Sequence, residues 1–209
     1  MRRSVAALLI LATAQVAFAQ DEGAKVDAKL LERVKGALEE LVKPNPVQAD
    51  QQDPKSFARA MAPIGEEKAR KAAAAYRACA YVVGKHGSGN VLVSVFSCTS
   101  KESAREMVGY QKLVNLKKDE MIKAAAEVDL VGEPAYEDDS PQGSSAGFFM
   151  KKTIKPASSQ AALKAMVFVF SCGEYCMEVG SINTEMTQVD LKAFAEKLIG
   201  EALPATSSE

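Results

Sequence analysis

Two pairs of β-type segments, each interrupted by a glycine-centred turn, constrain this chain more than any other feature. Residues 79–83 and 91–96 are small, β-branched or aromatic, and Lys85-His86-Gly87-Ser88-Gly89-Asn90 lies between them; residues 165–171 and 176–182 are separated only by Cys172-Gly173-Glu174-Tyr175. A turn that short joins antiparallel neighbours, because a parallel return needs a crossover of roughly a dozen residues or more. With a further alternating segment at 146–153, the pattern predicts an antiparallel sheet of about five strands.

Helical periodicity fills the intervals. From 25 to 43, Val26, Leu30, Val34, Ala37 and Leu41 recur at spacings of three and four, an amphipathic helix that ends at Pro44-Asn45-Pro46. Residues 44–54 are polar and bounded by proline, which reads as a linker, and a short helix follows at 55–61. Residues 66–77, rich in Ala, Lys and Glu, form another helix. Thr99 and Glu102 stand three apart as in a capping box and open a helix over 100–116, with a second helical stretch at 119–127. An acidic loop then carries Glu133, Glu137, Asp138 and Asp139. The last helix, 188–202, takes Thr187 as its cap with Asp190 in its first turn. The expected organisation is a signal at 1–19, an N-terminal helix at 20–43, linker and short helix at 44–64, an α+β domain at 65–203 and a tail at 204–209. The fold class is α+β, a two-layer sandwich with its helices on one face of the sheet. The N-terminal amphipathic helix either packs back on that domain or meets a partner.

Arg2 and Arg3, an apolar run over 5–11 and Ala17-Phe18-Ala19 have the layout of a cleavable secretory signal, with Gln20 as the first mature residue. The expected location is extracytoplasmic, either periplasmic or secreted. Removing nineteen residues from 209 leaves 190, enough for one buried core. Losing two arginines lowers the basic count from 26 to 24 against 27 acids, a net charge of about −3. Such a chain lacks the positive field of a nucleic-acid binder. No segment reaches the ~20 apolar residues of a transmembrane helix.

In that compartment Cys79, Cys98, Cys172 and Cys176 are disulfide candidates first. If Ser88 and Gly89 form the first hairpin tip, Cys79 faces Cys98 with Cα atoms ~4.5–5.5 Å apart, within disulfide reach. The same reasoning sets Cys172 against Cys176 across a three-residue loop. The first bond closes about twenty residues and contributes about 3 kcal/mol, whereas the second closes so few that about 2 kcal/mol is generous. That second pair therefore invites an alternative: beside Met177, Cys172 and Cys176 could form a thiol-redox couple or hold a soft metal such as Cu(I). Against it, the motif has no base to lower a thiol pKa, and Glu174 opposes thiolate formation. A zinc site built from all four cysteines lacks paired Cys-x-x-Cys knuckles.

No catalytic constellation is legible. His86 is the only histidine and sits in a hairpin tip without a carboxylate nearby in sequence. His86 and Tyr175, one at each tip, are candidate ligand or partner contacts. Lys151, Lys152 and Lys155 read as protection of a sheet edge. No cofactor is implied.

The element order over 66–203, with the Gly-centred loop Val131-Gly132-Glu133-Pro134-Ala135-Tyr136 ahead of a strand, resembles the PsbP and Mog1-like domains of exported bacterial proteins. The resemblance implies a binding or accessory role and assigns no residue a function. The expected function is an exported, soluble, non-enzymatic binding domain stabilised by disulfides, meeting a protein partner through its N-terminal helix or hairpin tips. The alternative is an extracytoplasmic thiol-redox or copper-handling protein that uses Cys172 and Cys176.

Overall fold

The computed structural model describes residues 24–124, 128–156 and 161–201. The expected signal at 1–19 and the tail at 204–209 lie outside them. Strands β2 (Tyr76–His86) and β3 (Gly89–Cys98) form one long hairpin, and β7 (Leu163–Cys172) and β8 (Tyr175–Ile182) form another. Their two-residue turns, Gly87-Ser88 and Gly173-Glu174, each begin with a glycine at positive φ, 59° and 56°. That conformation suits the twist of an antiparallel ribbon, and glycine adopts it without a Cβ clash. β3 then pairs with β8, Phe96 opposite Cys176 and Val93 opposite Val179, so the two hairpins fuse through their inner strands.

The remaining strands extend this unit on both sides. β1 (Val47–Gln51) joins β2, and β6 (Ala146–Pro156) joins β7; β4 (Val128–Leu130) and β5 (Ala135–Glu137) share the outer edge of β6. The result is an eight-stranded antiparallel sheet where about five strands were expected. The miscount has local causes. The stretch read as a linker supplies β1, and its Gln51 side chain both accepts from and donates to the Val26 backbone, at 3.1 and 3.2 Å. The acidic stretch yields β4 and β5, three residues each and too short to show a period of two.

Helices cover both faces, which corrects the expected one-sided packing. On the first face Ala80, Val93, Phe168, Phe170, Met177 and Val179 pack against α1 (Ala28–Val42) and α5 (Gln188–Glu201). On the second, Cys79, Phe96, Phe148, Met150, Val169 and Cys176 pack against α2 (Pro54–Met61), α3 (Glu66–Ala75) and α4 (Lys101–Ala124). Successive strand residues point to opposite faces, and here both sets are apolar, so neither face can be left to water. Four phenylalanines, at 148, 149, 168 and 170, are at most 1% exposed; burying each contributes about 1.5–3 kcal/mol. Val34 and Leu38 of α1 are fully buried. The apolar stripe of α1 is therefore packed on the sheet.

Caps fix the helix ends. Thr187 Oγ1 accepts from the Asp190 amide at 3.2 Å while Asp190 accepts from the Thr187 amide at 2.8 Å, the reciprocal pair expected for α5. At α4 the cap is Ser100, whose Oγ accepts from the Ser103 amide at 3.1 Å, and Thr99 is not. α4 runs unbroken where two helical stretches were expected, although the end of the second, at 125–127, lies outside the described residues.

The tip of the β2–β3 hairpin is pinned to the end of β8. A Cβ on Gly89 would stand 2.0 Å from the Ile182 carbonyl oxygen, and Ser88 donates its hydroxyl to the Asn183 carbonyl at 3.1 Å. Gly109, exposed within α4, meets nothing within 4 Å. Gly89→Ala is therefore expected to lower the unfolding free energy by about 1–3 kcal/mol through overpacking. Gly109→Ala should raise it by up to about 1 kcal/mol through helix propensity. Urea unfolding of the two variants checks both signs.

Candidate binding surface

The residues singled out in the sequence do not assemble as expected. None of the four cysteines is bonded in this structure. The first hairpin turns one residue earlier than expected, which shifts every partner by two. Cys79 faces Phe96, and Cys98 lies diagonally beyond it, past an irregularity between Tyr76 and Ala78. Diagonal neighbours stand ~7–8 Å apart, outside ordinary disulfide reach. In the second hairpin Cys172 faces Tyr175 and Cys176 faces Ser171. Cys172 packs against the first core and Cys176 lies within the second, on opposite sides of the sheet. A one-residue slip in register reverses which face a strand residue takes. Met177, fully buried, belongs to the first core. The thiols expected to form a redox couple, and the donor set expected for copper, do not converge.

Burial dominates the chemistry of these thiols. It holds Cys79 and Cys176 well above the ordinary thiol range, pushes Cys98 up to about 12 and raises Cys172 as well. Among the described residues no three His, Cys, Asp or Glu side chains are placed to hold a metal ion.

The two hairpin tips have different fates. Tyr175 lies on a strand and packs against the first core. His86 lines a cleft of about 490 Å³, open to solvent, with Leu41, Met186, Asp190, Phe194 and Lys197. Asp190 is engaged as a cap, and Lys197 pairs with Glu40. A second open cleft, of about 430 Å³, lies between the end of α4 and the β4 region, at Ile122, Leu130 and Glu133.

The second face of the sheet carries a polar layer that the sequence reading missed. Lys152 on β6 and Asp119 on α4 pair at 2.9 Å with each side chain 6% exposed. Lys152 also donates to Asn115 at 3.3 Å, and Tyr136 on β5 donates its hydroxyl to the other Asp119 oxygen. Burial first, and then its bond to Asp119, pushes the Tyr136 hydroxyl far above the usual phenol range. Lys152 is thus an interior cation and not edge protection, because β4 and β5 cover that edge. This half of the layer is closed, every partner supplied from within.

The other half is open. Asp50 on β1, Tyr81 on β2, Ser94 on β3 and Glu178 on β8 stand opposite one another in a single row across four strands. Lys118, next to Asp119 on α4, acts on Glu178 from above the sheet. α2 and α3 cover only the far ends of β2 and β3, around Tyr76, Cys79, Phe96 and Cys98. Tyr81 is consequently 36% exposed beside an exposed Asp50, while Val83, Leu92 and Glu178 are half-buried and Ser94 is buried. Asp50, Tyr81 and Ser94 make no hydrogen bond or ion pair among the described residues, and Glu178 and Lys118 meet only through their opposite charges. Burial raises the Glu178 carboxyl above the ordinary range against the pull of Lys118 and Lys152, and burial lowers Lys118. Glu178 is the lone charge in the strand 176–182, and that was the available sequence signal.

No protein-family model and no curated protein matches the chain. Among solved structures, the extracellular domain of PknH from Mycobacterium tuberculosis is similar over 76% of this chain and 80% of its own, with 11% identity and a TM-score of 0.38. An uncharacterised protein from Mycobacterium smegmatis is similar over 83% and 96%, with 10% identity and a TM-score of 0.44. Likeness at this level carries no functional conclusion.

Two predictions follow from the burial of these groups. In native protein a thiol reagent should label Cys172 first and the other three only on unfolding; peptide mapping that found Cys79 joined to Cys98, or Cys172 to Cys176, would contradict the registers. Glu178→Gln should raise the thermal midpoint at about pH 8, and the gain should shrink as the pH falls through the raised pKa of the folded Glu178 and be gone below the ordinary carboxylate range. The sign follows from linkage: a carboxyl whose folded pKa is raised contributes stability at low pH that is lost as the pH rises through that pKa.

Proposed function

We propose that this chain is an extracytoplasmic accessory domain that binds a ligand over the open quarter of its second sheet face, without catalysing a reaction. One observation carries this reading. On one flank of α4 Lys152, Asp119 and Tyr136 pair with one another, whereas on the other Asp50 and Tyr81 stand exposed side by side without a hydrogen bond and Glu178 meets only the charges of Lys118 and Lys152. The exposed end of this layer, around Asp50 and Tyr81, is thus accessible to a partner from outside the chain.

Shape supports surface contact. The row lies on a sheet face, and both clefts are open, whereas sites for small molecules enclose most of the ligand. The signal-like layout of residues 1–19 supports export, and no helix among the described residues is long and apolar enough to cross a membrane. The redox or copper reading loses its support, because Cys172 and Cys176 lie on opposite sides of the sheet.

An amide-resolved NMR titration tests the site. Pools of oligosaccharides, of short peptides and of free amino acids are added in turn to the folded protein. At least one pool should shift Tyr81, Leu92, Ser94 and Glu178 together while residues around His86 stay still. Shifts confined to the His86 cleft, or none anywhere, would overturn the assignment.

A further inference from the structure

We infer that β1 is a dimerisation edge: two copies of this chain pair their β1 strands antiparallel about a two-fold axis at Ala49, and the two sheets run on into one. The inference does not rest on the ligand reading above. It starts from a difference between the two edges of the sheet. At one edge β6 is covered by β4 and β5, three residues each, with Asp129 and Glu137 among them and Pro134 ahead of β5. Short strands, charge and proline keep a sheet edge from pairing further. At the other edge β1 is Val47-Gln48-Ala49-Asp50-Gln51, in unbroken register with β2 and without Lys, Arg, Pro or a bulge. Gln48, Ala49 and Asp50 are exposed, and among the described residues β1 pairs with β2 alone.

The ladder fixes which backbone groups point outward. The Gln52 amide donates to the Cys79 carbonyl at 2.7 Å, in line with the register of β1 on β2. Opposed residues of an antiparallel pair alternate between those that exchange both backbone bonds and those that exchange none. Gln48, Asp50 and Gln52 therefore turn their N–H and C=O groups toward β2. Val47, Ala49 and Gln51 turn theirs outward, where no backbone group among the described residues meets them.

A second copy satisfies these groups in one register. With Ala49 opposite the partner's Ala49, Val47 lies opposite the partner's Gln51, and every outward donor and acceptor is bonded. Gln48 then faces the partner's Asp50 in a pair that exchanges no backbone bonds, the type whose Cα atoms come within ~4.5 Å. Its amide donates to that carboxylate, and the two-fold axis makes the contact twice. An axis moved to Asp50 would oppose two carboxylates, which is destabilising. The residues on either side of Ala49 are thus self-complementary in charge and in hydrogen bonding. That selects a second copy over an unrelated strand.

Sedimentation equilibrium of the full protein, from micromolar to millimolar concentration, tests the inference. A reversible monomer–dimer equilibrium is expected. In hydrogen exchange the Val47, Ala49 and Gln51 amides should become protected as concentration rises, while those of Gln48 and Asp50 are protected throughout. Ala49→Pro removes only an outward donor, a place where an edge strand tolerates proline. It should weaken the dimer at least tenfold with the circular dichroism unchanged. Gln48→Lys sets an ammonium against the partner's Asp50 and should tighten the dimer, whereas Gln48→Glu opposes two carboxylates and should weaken it at least tenfold at low salt. A monomer at every concentration overturns the inference. So does a dimer that Ala49→Pro and Gln48→Glu leave unchanged, which places the contact elsewhere, or protection of the three amides by added peptides in a chain that stays monomeric. The ligand reading stands or falls separately, because its NMR titration can be repeated on the Ala49→Pro variant, which keeps Tyr81, Leu92 and Glu178.

Discussion

The pairing of β3 with β8 is the contact on which the rest of this molecule depends. Each hairpin is local and would be marginal alone. Joined through Phe96–Cys176 and Val93–Val179, they become a four-stranded unit with two apolar faces. Two apolar faces demand two helical layers. α1 and α5 satisfy one demand and α2, α3 and α4 the other, so elements distant in sequence are recruited to one sheet. The same pairing carries Glu178 into line with Ser94 and Tyr81, which is how the polar row comes to exist.

Register decides the fate of the cysteines. Strand pairing holds four small apolar side chains in or against two separate cores, and a turn placed one residue differently would have made opposed pairs of them. Gly89 shows why the turn sits where it does. Its missing side chain lets the hairpin tip close on the Ile182 carbonyl, and a tip centred on Ser88-Gly89 would lose that approach. The cysteines then behave as small hydrophobes, with thiols that burial keeps protonated.

Part of the fold was legible in the sequence because its signals are local. The two glycine-led hairpins, the amphipathic period of α1 and the Thr187–Asp190 cap each follow from neighbours in the chain, and each is found. β1, β4 and β5 were not legible, since strands of three to five residues acquire their conformation from the edge they join. The polar layer escaped for a similar reason. Lys152 looks like any charged residue at a strand end until β4 and β5 cover it and α4 brings Asp119 within 2.9 Å.

By itself the sequence determined that this chain builds antiparallel hairpins and amphipathic helices, because turn chemistry and hydrophobic period act over a few residues. Only the tertiary structure decided which cysteines share a face, that both faces of the sheet are covered, and that four polar side chains line up across four strands with Lys118 above Glu178. Those outcomes depend on register and on which helix lies over which strand. Both are set by packing between segments far apart in the chain, where no local pattern can report them.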